Sequence, residues 1–171
     1  GYERVLVYRF DSEGHGQVMA ESRVADLDPL LGLSFPASDI PAQARELYQL
    51  NRIRLLVDTQ ATMLPLVALE TTPPTTQVDL SLAVLRSMSG IHREYLRNLG
   101  VRSTLVGSIL SEGKLWGLIA CHHRQPQLPC IGLQDLLQSL SQLLTQQISK
   151  CVHLQRELGR IRARQLLTCL S

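Results

Sequence analysis

Hydrophobic and polar positions change their period along the chain, and each change marks an element. Val5–Phe10 (V-L-V-Y-R-F) is rich in β-branched and aromatic residues and predicts a strand. The D-S-E-G-H-G that follows has an Asp and two glycines, the chemistry of a turn. Gln17–Arg23 alternates polar and apolar residues, as the partner strand of a hairpin does. Ala25–Asp39, with Pro29, Gly32 and Pro36, reads as a loop. Pro41–Asn51 predicts a short helix, with Asp39 as its N-cap and Pro41 in the first turn, where a missing N–H costs little. Arg52–Asp58 (R-I-R-L-L-V-D) predicts another strand.

From Thr59 to Val78 no period survives. The stretch carries Pro65, Pro73 and Pro74 among threonines, and a loop this long inside a compact domain is usually functional or disordered. Leu80–Met88 and Ile91–Leu99 read as helical segments interrupted at Gly90. Ser103–Leu110 and Lys114–His123 form a second predicted hairpin around Ser111-Glu112-Gly113. From Leu133 to about Ile161 one long helix is expected. Leu133, Leu137, Leu140, Leu144, Cys151, Leu154, Leu158 and Ile161 recur along it at helical spacing, with Gln147 off the pattern. Hairpins with helices between them predict an α+β fold, a central antiparallel sheet with helices packed on it. No G-x-G-x-x-G or Walker motif supports a doubly wound alternative.

Composition narrows the classes. The 171 residues are 44% hydrophobic and 19% charged, which excludes a disordered tail or a collagen-like chain. Seventeen basic against fifteen acidic residues leave a net charge of +2, too little for nucleic-acid binding by bulk electrostatics. Cys121, Cys130, Cys151 and Cys169 show no C-x-x-C spacing and fit a reducing, cytoplasmic compartment. No apolar run approaches the roughly 20 residues that span a bilayer. The chain opens Gly-Tyr-Glu-Arg and enters a strand at once, without a signal peptide, which suggests a piece of a longer protein.

Little in the chain supports catalysis or metal binding. His122 and His123 are adjacent in a strand, point to opposite faces and cannot chelate together. No nucleophile motif is present, and a Cys121/His92 dyad competes with the plainer reading of L-I-A-C as a buried, inert thiol. The residues therefore point away from an enzyme. Arg54 and Arg86 stand out, since each lies in an apolar setting (I-R-L-L-V and A-V-L-R-S-M) where a guanidinium needs a partner. An internal salt bridge or a solvated strand end would serve, and so would a clamp on a carboxylate or phosphate ligand. Arg156, Arg160, Arg162 and Arg164 read as the solvated side of the last helix.

At F-P-A-S-D-I-P-A-Q-A-R-E-L-Y (Phe35–Tyr48) the chain resembles the GAF domain of phytochromes, particularly bacterial ones. The resemblance continues through V-Y-R-F (Val7–Phe10), A-E-S-R (Ala20–Arg23) and N-R-I-R-L-L-V-D (Asn51–Asp58). It extends to Asp79–Val101 and to K-L-W-G-L-I-A-C-H-H (Lys114–His123). It implies a GAF core over residues 1–131. A helix over 132–171 would complete the domain, lead towards the next one and pack on its own sheet or against its copy in a homodimer. The stretch Thr59–Val78 matches the family's lasso insert.

The implied cofactor is biliverdin or a related linear tetrapyrrole, whose photoisomerisation signals to an output domain. The implied partners are PAS and PHY-type domains and a kinase. By resemblance Arg54 and Arg86 meet the two propionates, assisted by Tyr48 and Ser89, with Thr104 and Val106 near one of them. The Asp39 carbonyl, flanked by Ile40 and Pro41, and His92 lie beside the pyrroles, with the Asp39 carboxylate facing outward. Tyr8, Phe35 and Tyr95 wall the ring that flips, and His122 donates to its carbonyl. Ile91 stands where plant-type members attach the pigment through Cys, so attachment falls to an upstream Cys or is non-covalent. Gly90 replaces the usual Pro. The competing reading is a GAF module without pigment that senses redox state or another ligand, or serves in dimerisation.

Overall fold

The computed structural model describes residues 1–67, 78–83 and 86–169. Six strands and three helices alternate along it. They are β1 (Arg4–Phe10), β2 (Gly16–Arg23), β3 (Ser34–Phe35), α1 (Ala42–Leu50), β4 (Ile53–Leu56), α2 (Gly90–Asn98), β5 (Ser103–Ser111), β6 (Lys114–His123) and α3 (Ile131–Cys169). The strands form one sheet in the order β3-β2-β1-β6-β5-β4, and every neighbouring pair is antiparallel. The expected α+β fold is present.

The period of two sorts side chains onto two faces. Leu6, Tyr8, Phe10, Val106 and Leu118 point to one face, where Tyr48 of α1 packs on them. Ile53, Leu55, Leu105, Ile109, Ile119 and Cys121 point to the other, under Leu137 of α3. Both hairpins close as their turns dictate. Asp11 Oδ1 accepts the amides of Glu13 and His15 at 2.9 Å in the first. Glu112 and Gly113 both take positive φ (50° and 76°) in the second, as a two-residue hairpin loop requires.

Several expectations are corrected. The N-cap of α1 is Pro41, with no side-chain cap bond, and not Asp39. Asp39 instead belongs to a turn, its amide donating to Pro36 O at 3.1 Å, and its carboxylate lies too early to reach the first-turn amides. Leu80–Met88 is not a helix in its described residues. Asp79 Oδ1 takes the Ser81 amide, and the carbonyls of Ala83 and Arg86 accept from the Arg54 guanidinium. Gly90 does not interrupt a helix. It opens α2 behind Ser89, whose Oγ accepts the His92 amide at 3.3 Å. The two-residue β3 falls inside the predicted loop and pairs with Gly16 and Gln17. Of the expected lasso, residues 68–77 lie outside the described residues. Its stem is fixed, since Arg93 Nε and Nη2 donate to Thr59 O at 2.9 and 2.7 Å.

The seam of α3 divides into a part that meets the sheet and a part that does not. The sheet is covered by Leu133, Leu137, Leu144 and Ile148, whereas Leu140, Leu154, Leu158 and Ile161 are exposed. The helix runs past the sheet, so the apolar side chains of its second half cover no core among the described residues. Its register is pinned at β5. Leu110 N–H donates to Thr145 Oγ1 at 3.0 Å beside a register shift, and Gly107 leaves room for Ser141. A Cβ on Gly107 would lie 2.4 Å from Ser141 Oγ and 3.0 Å from Leu137 Cγ. Gly107→Ala is therefore expected to destabilise the chain by about 2 kcal/mol, as overpacking does, and adding Ser141→Ala should recover part of the loss in urea melts.

Candidate functional site

On the face opposite α3 the sheet, α1, α2 and the described residues of the 78–89 segment enclose two cavities. The larger, about 290 Å³, is lined by Pro41, Arg54, Arg86, Met88 and Ser89 among others. The smaller, about 60 Å³, is lined by Tyr8, Phe35, Tyr95, Thr104 and His122, with Leu6, Val106, Leu118 and Ala120. Ile40, Tyr48 and His92 line both, so the two cavities meet at these side chains. Every predicted site residue except Asp39 lines one or the other.

The larger cavity carries two guanidiniums. Arg54 points from β4 and is 3% exposed, and among the described residues its Nη1 and Nη2 reach only the carbonyls of Ala83 (3.3 Å) and Arg86 (3.4 Å). Burial, and then the charge of Arg86, lower its pKa. Arg86 Nε is buried without a partner. Among the described residues no carboxylate pairs with either arginine, so the internal salt bridge is not made. Tyr48 sits beside both. Burial raises its phenol pKa, and the two cations pull the other way. Its position is set from behind, because Ser108 Oγ donates to Tyr48 O at 2.7 Å. A buried guanidinium and a half-buried one beside a phenol form a site for an anion, and two guanidiniums suit two carboxylates or one phosphate.

His92 marks the junction. Its ring lies 6.0 Å from that of Tyr95 at an interplanar angle of 24°. Burial first, then the charge of Arg54, lowers its pKa, so the imidazole is neutral at neutral pH.

The smaller cavity is aromatic with polar atoms at its floor. The Tyr8 ring stands edge-on to Phe10 at 5.3 Å and tilted to Phe35 at 5.9 Å. His122 and Thr104 are direct cross-strand neighbours on β6 and β5. His122 Nδ1 and Thr104 Oγ1 are both buried and unpartnered. Burial, then Arg4 and His92, holds the His122 imidazole down to about 4. Two orphaned polar atoms next to each other mark a place where a ligand's polar group would be satisfied.

Asp39 lines neither cavity. Where an outward carboxylate is expected, its charge instead acts on the Tyr8 and Tyr95 phenols, whose pKa values rise mainly through burial, that of Tyr95 to about 12. The segment holding it hangs from two residues that were not singled out in the sequence. Arg45 Nη1 donates to Ile40 O at 2.6 Å, and Ala37 N–H donates to His15 Nδ1 at 3.3 Å. Met88, Leu6, Leu118 and Ala120 were also missed, although strand alternation from Tyr8 and His122 places the last three on the cavity face. The Cys121/His92 dyad does not form. Cys121 faces α3 on the other side of the sheet, and burial pushes its thiol up to about 11.

A family model described as the GAF domain matches residues 1–152. The chain is 45% identical over 148 residues to a bacteriophytochrome of Xanthomonas campestris pv. campestris, covering 86% of this chain and 23% of that protein. It is 48% identical over 143 residues to a bacteriophytochrome of Pseudomonas aeruginosa, covering 84% of this chain and 20% of that one. Among solved structures it resembles the chromophore-binding domain of a variant Stigmatella aurantiaca bacteriophytochrome in the Pr state. The TM-score is 0.83 at 43% identity, over 87% of this chain and 49% of that one. The chain thus spans less than a quarter of these curated relatives.

His122 makes the site sensitive to acid. The unfolded imidazole takes a proton near 6.5, whereas the folded one resists until about 4. Between these values the unfolded state binds more protons, so stability falls as pH drops through this window, by about 2–3 kcal/mol. The Glu3 carboxylate, held at about 2 by its hydrogen bonds from Arg124, acts only below 4.5, so the windows separate. Urea melts of the ligand-free chain at pH 6.5 and 4.5 should show the loss, and His122→Gln should shrink it. An unchanged pH dependence in that variant would refute the assignment.

Proposed function

The chain belongs to the GAF domain family, and from that premise we propose that it is the bilin-binding photosensory module of a phytochrome-like red/far-red light sensor. One observation carries the reading. Arg54 and Arg86 lie side by side, without a carboxylate among the described residues, at one end of a joined cavity whose other end is walled by Tyr8, Phe35 and Tyr95. A linear tetrapyrrole has that pattern, a long apolar body with two propionates.

The residues fit such a ligand. Arg86 Nε, Thr104 Oγ1 and His122 Nδ1 are buried and unpartnered, and each lies on a residue lining the cavities. Arg54 and Arg86 would hold the propionates, with Tyr48 and Ser89 beside them. His92 and the Asp39 backbone would meet the pyrrole nitrogens. Ile40 and Pro41 would cover one side. His122, kept neutral by burial, would offer one N–H to a ring carbonyl, with Thr104 next to it. When bound, the bilin supplies red-light absorption and a double bond that isomerises. Biliverdin is the pigment proposed. Ile91 has no thiol for attachment, so a cysteine upstream of this chain, or non-covalent binding, would hold it.

The remaining proposals concern the whole protein. Residues 1–131 form the GAF core and 132–171 complete it and lead to the next domain, a reading supported by the match to residues 1–152. PAS and PHY-type neighbours, a kinase output and a cytoplasmic location are proposed from the sequence resemblance alone. No described helix is long and apolar enough to cross a membrane. The exposed α3 face, with Leu154 at 59% and Ile161 at 50%, would pack against its copy. The redox alternative gains nothing from Cys121, which is buried with a raised pKa.

Biliverdin added to the protein together with its upstream segment should give a red absorption band. Arg54→Ala and Arg86→Ala should each weaken uptake roughly 10- to 100-fold, the worth of a hydrogen bond to a charged group. A folded protein without the band sinks the reading. A separate measurement addresses assembly. Leu140→Glu with Leu158→Glu should turn a dimer into a monomer by light scattering, while the biliverdin band stays.

A further inference from the structure

Tyr8 is gripped between two glycines. An ideal Cβ on Gly16 would lie 1.8 Å from Tyr8 Cε1, 1.9 Å from Cζ and 2.0 Å from Oη. A Cβ on Gly117 would lie 2.1 Å from the Tyr8 carbonyl oxygen. The backbone of Tyr8 pairs with Val18 beside a register shift, and its ring lies diagonally over Gly16 of the same neighbouring strand. Gly16 is not among the glycines with positive φ. The requirement at this position is therefore space, and an alanine there keeps a relaxed backbone.

The ring cannot yield in most directions. Phe10 stands against it at 5.3 Å and Phe35 at 5.9 Å. The open side is the cavity of about 60 Å³ that Tyr8 shares with Tyr95 and His122. A side chain at position 16 drives the ring into that space.

We infer that Gly16 is a specificity-determining position for the end of the ligand seated between Tyr8, Tyr95 and His122. Its missing Cβ fixes where the Tyr8 ring lies and so how much room that end has to turn. This rests on the bilin reading above. Gly16 lines neither cavity, so it is a positioning residue that acts through Tyr8.

The test uses the full-length protein loaded with biliverdin. Gly16→Ala is expected to keep the red band while the fraction converted by saturating red light falls about threefold or more. Tyr8→Leu lacks Cε1, Cζ and Oη. In that background Gly16→Ala should change conversion by less than about 1.5-fold, because the atoms it displaces are gone. Undiminished conversion in Gly16→Ala, or an equal loss in both backgrounds, overturns the inference while the bilin reading stands. Should Gly16→Ala alone fail to fold by circular dichroism, a folded Gly16→Ala/Tyr8→Leu pair supports the steric account. A pair that fails where Tyr8→Leu folds overturns it. A wild-type protein that takes up no biliverdin overturns the bilin reading itself, and this inference with it.

Discussion

A buried guanidinium that meets no carboxylate among the described residues sets the terms for the cavity side of the molecule. Removing a cation from water is costly unless it is paired or hydrogen-bonded, and Arg54 is 3% exposed. Its bonds go to the carbonyls of Ala83 and Arg86. Those carbonyls are thereby withdrawn from helical bonding, and the segment that could have coiled into a helix becomes a cavity wall. The same bonds bring Arg86 close enough for its charge to depress Arg54 further. The fold thus holds two like charges together, an arrangement that an anionic ligand would relieve. Stability and ligand choice are coupled here through a single side chain.

The sheet separates this polar demand from an ordinary apolar core. Residues alternate along β4, β5 and β6, so Arg54, Thr104 and His122 face the cavities while Leu55, Leu105 and Cys121 face α3. The α3 face is mainly apolar and fits closely at Gly107 against Ser141, although Ser141 Oγ and Tyr2 Oη are buried there without a partner among the described residues. The cavity face leaves Arg86 Nε, Thr104 Oγ1 and His122 Nδ1 unsatisfied. These three atoms lie on residues that line joined cavities, where the polar groups of a ligand would satisfy them.

What could be read from the sequence follows the strength of each local signal. Strands β1, β2, β5 and β6 were legible because alternation and turn chemistry agreed. Arg54 and Arg86 were legible because a charge in an apolar run is anomalous by itself. Their grouping with His92, Tyr48 and His122 came from resemblance, since no spacing links residues so far apart in the chain. Strand β3 was illegible because two residues carry no period. Leu80–Met88 misled because helical spacing says nothing about a distant guanidinium that captures the carbonyls. Which leucines of the α3 seam meet the sheet stayed open, because heptad-like leucines look alike whether they meet the sheet or run past it. Asp39 was misplaced as a cap because the turn begun at Pro36 ends at Asp39, two residues before the cap position at Pro41.

The turn between β1 and β2 shows how a weak signal gains meaning. In sequence, D-S-E-G-H-G is only a turn, and its glycines need no further reason. In the structure Gly14, His15 and Gly16 meet the cavity wall or the residues that support it. A Cβ on Gly14 would strike the Arg45 guanidinium at 2.6 Å, His15 Nδ1 holds the Ala37 amide, and Gly16 lies under Tyr8. Arg45 and Ala37 in turn position the segment that contributes Ile40 to both cavities. The turn therefore does two jobs. Asp11 closes the hairpin by accepting the Glu13 and His15 amides on its carboxylate, and the glycines after it give the cavity wall and its supports the space they occupy. Only the first job has a local sequence signature, because the second depends on side chains brought from Tyr8 and Arg45.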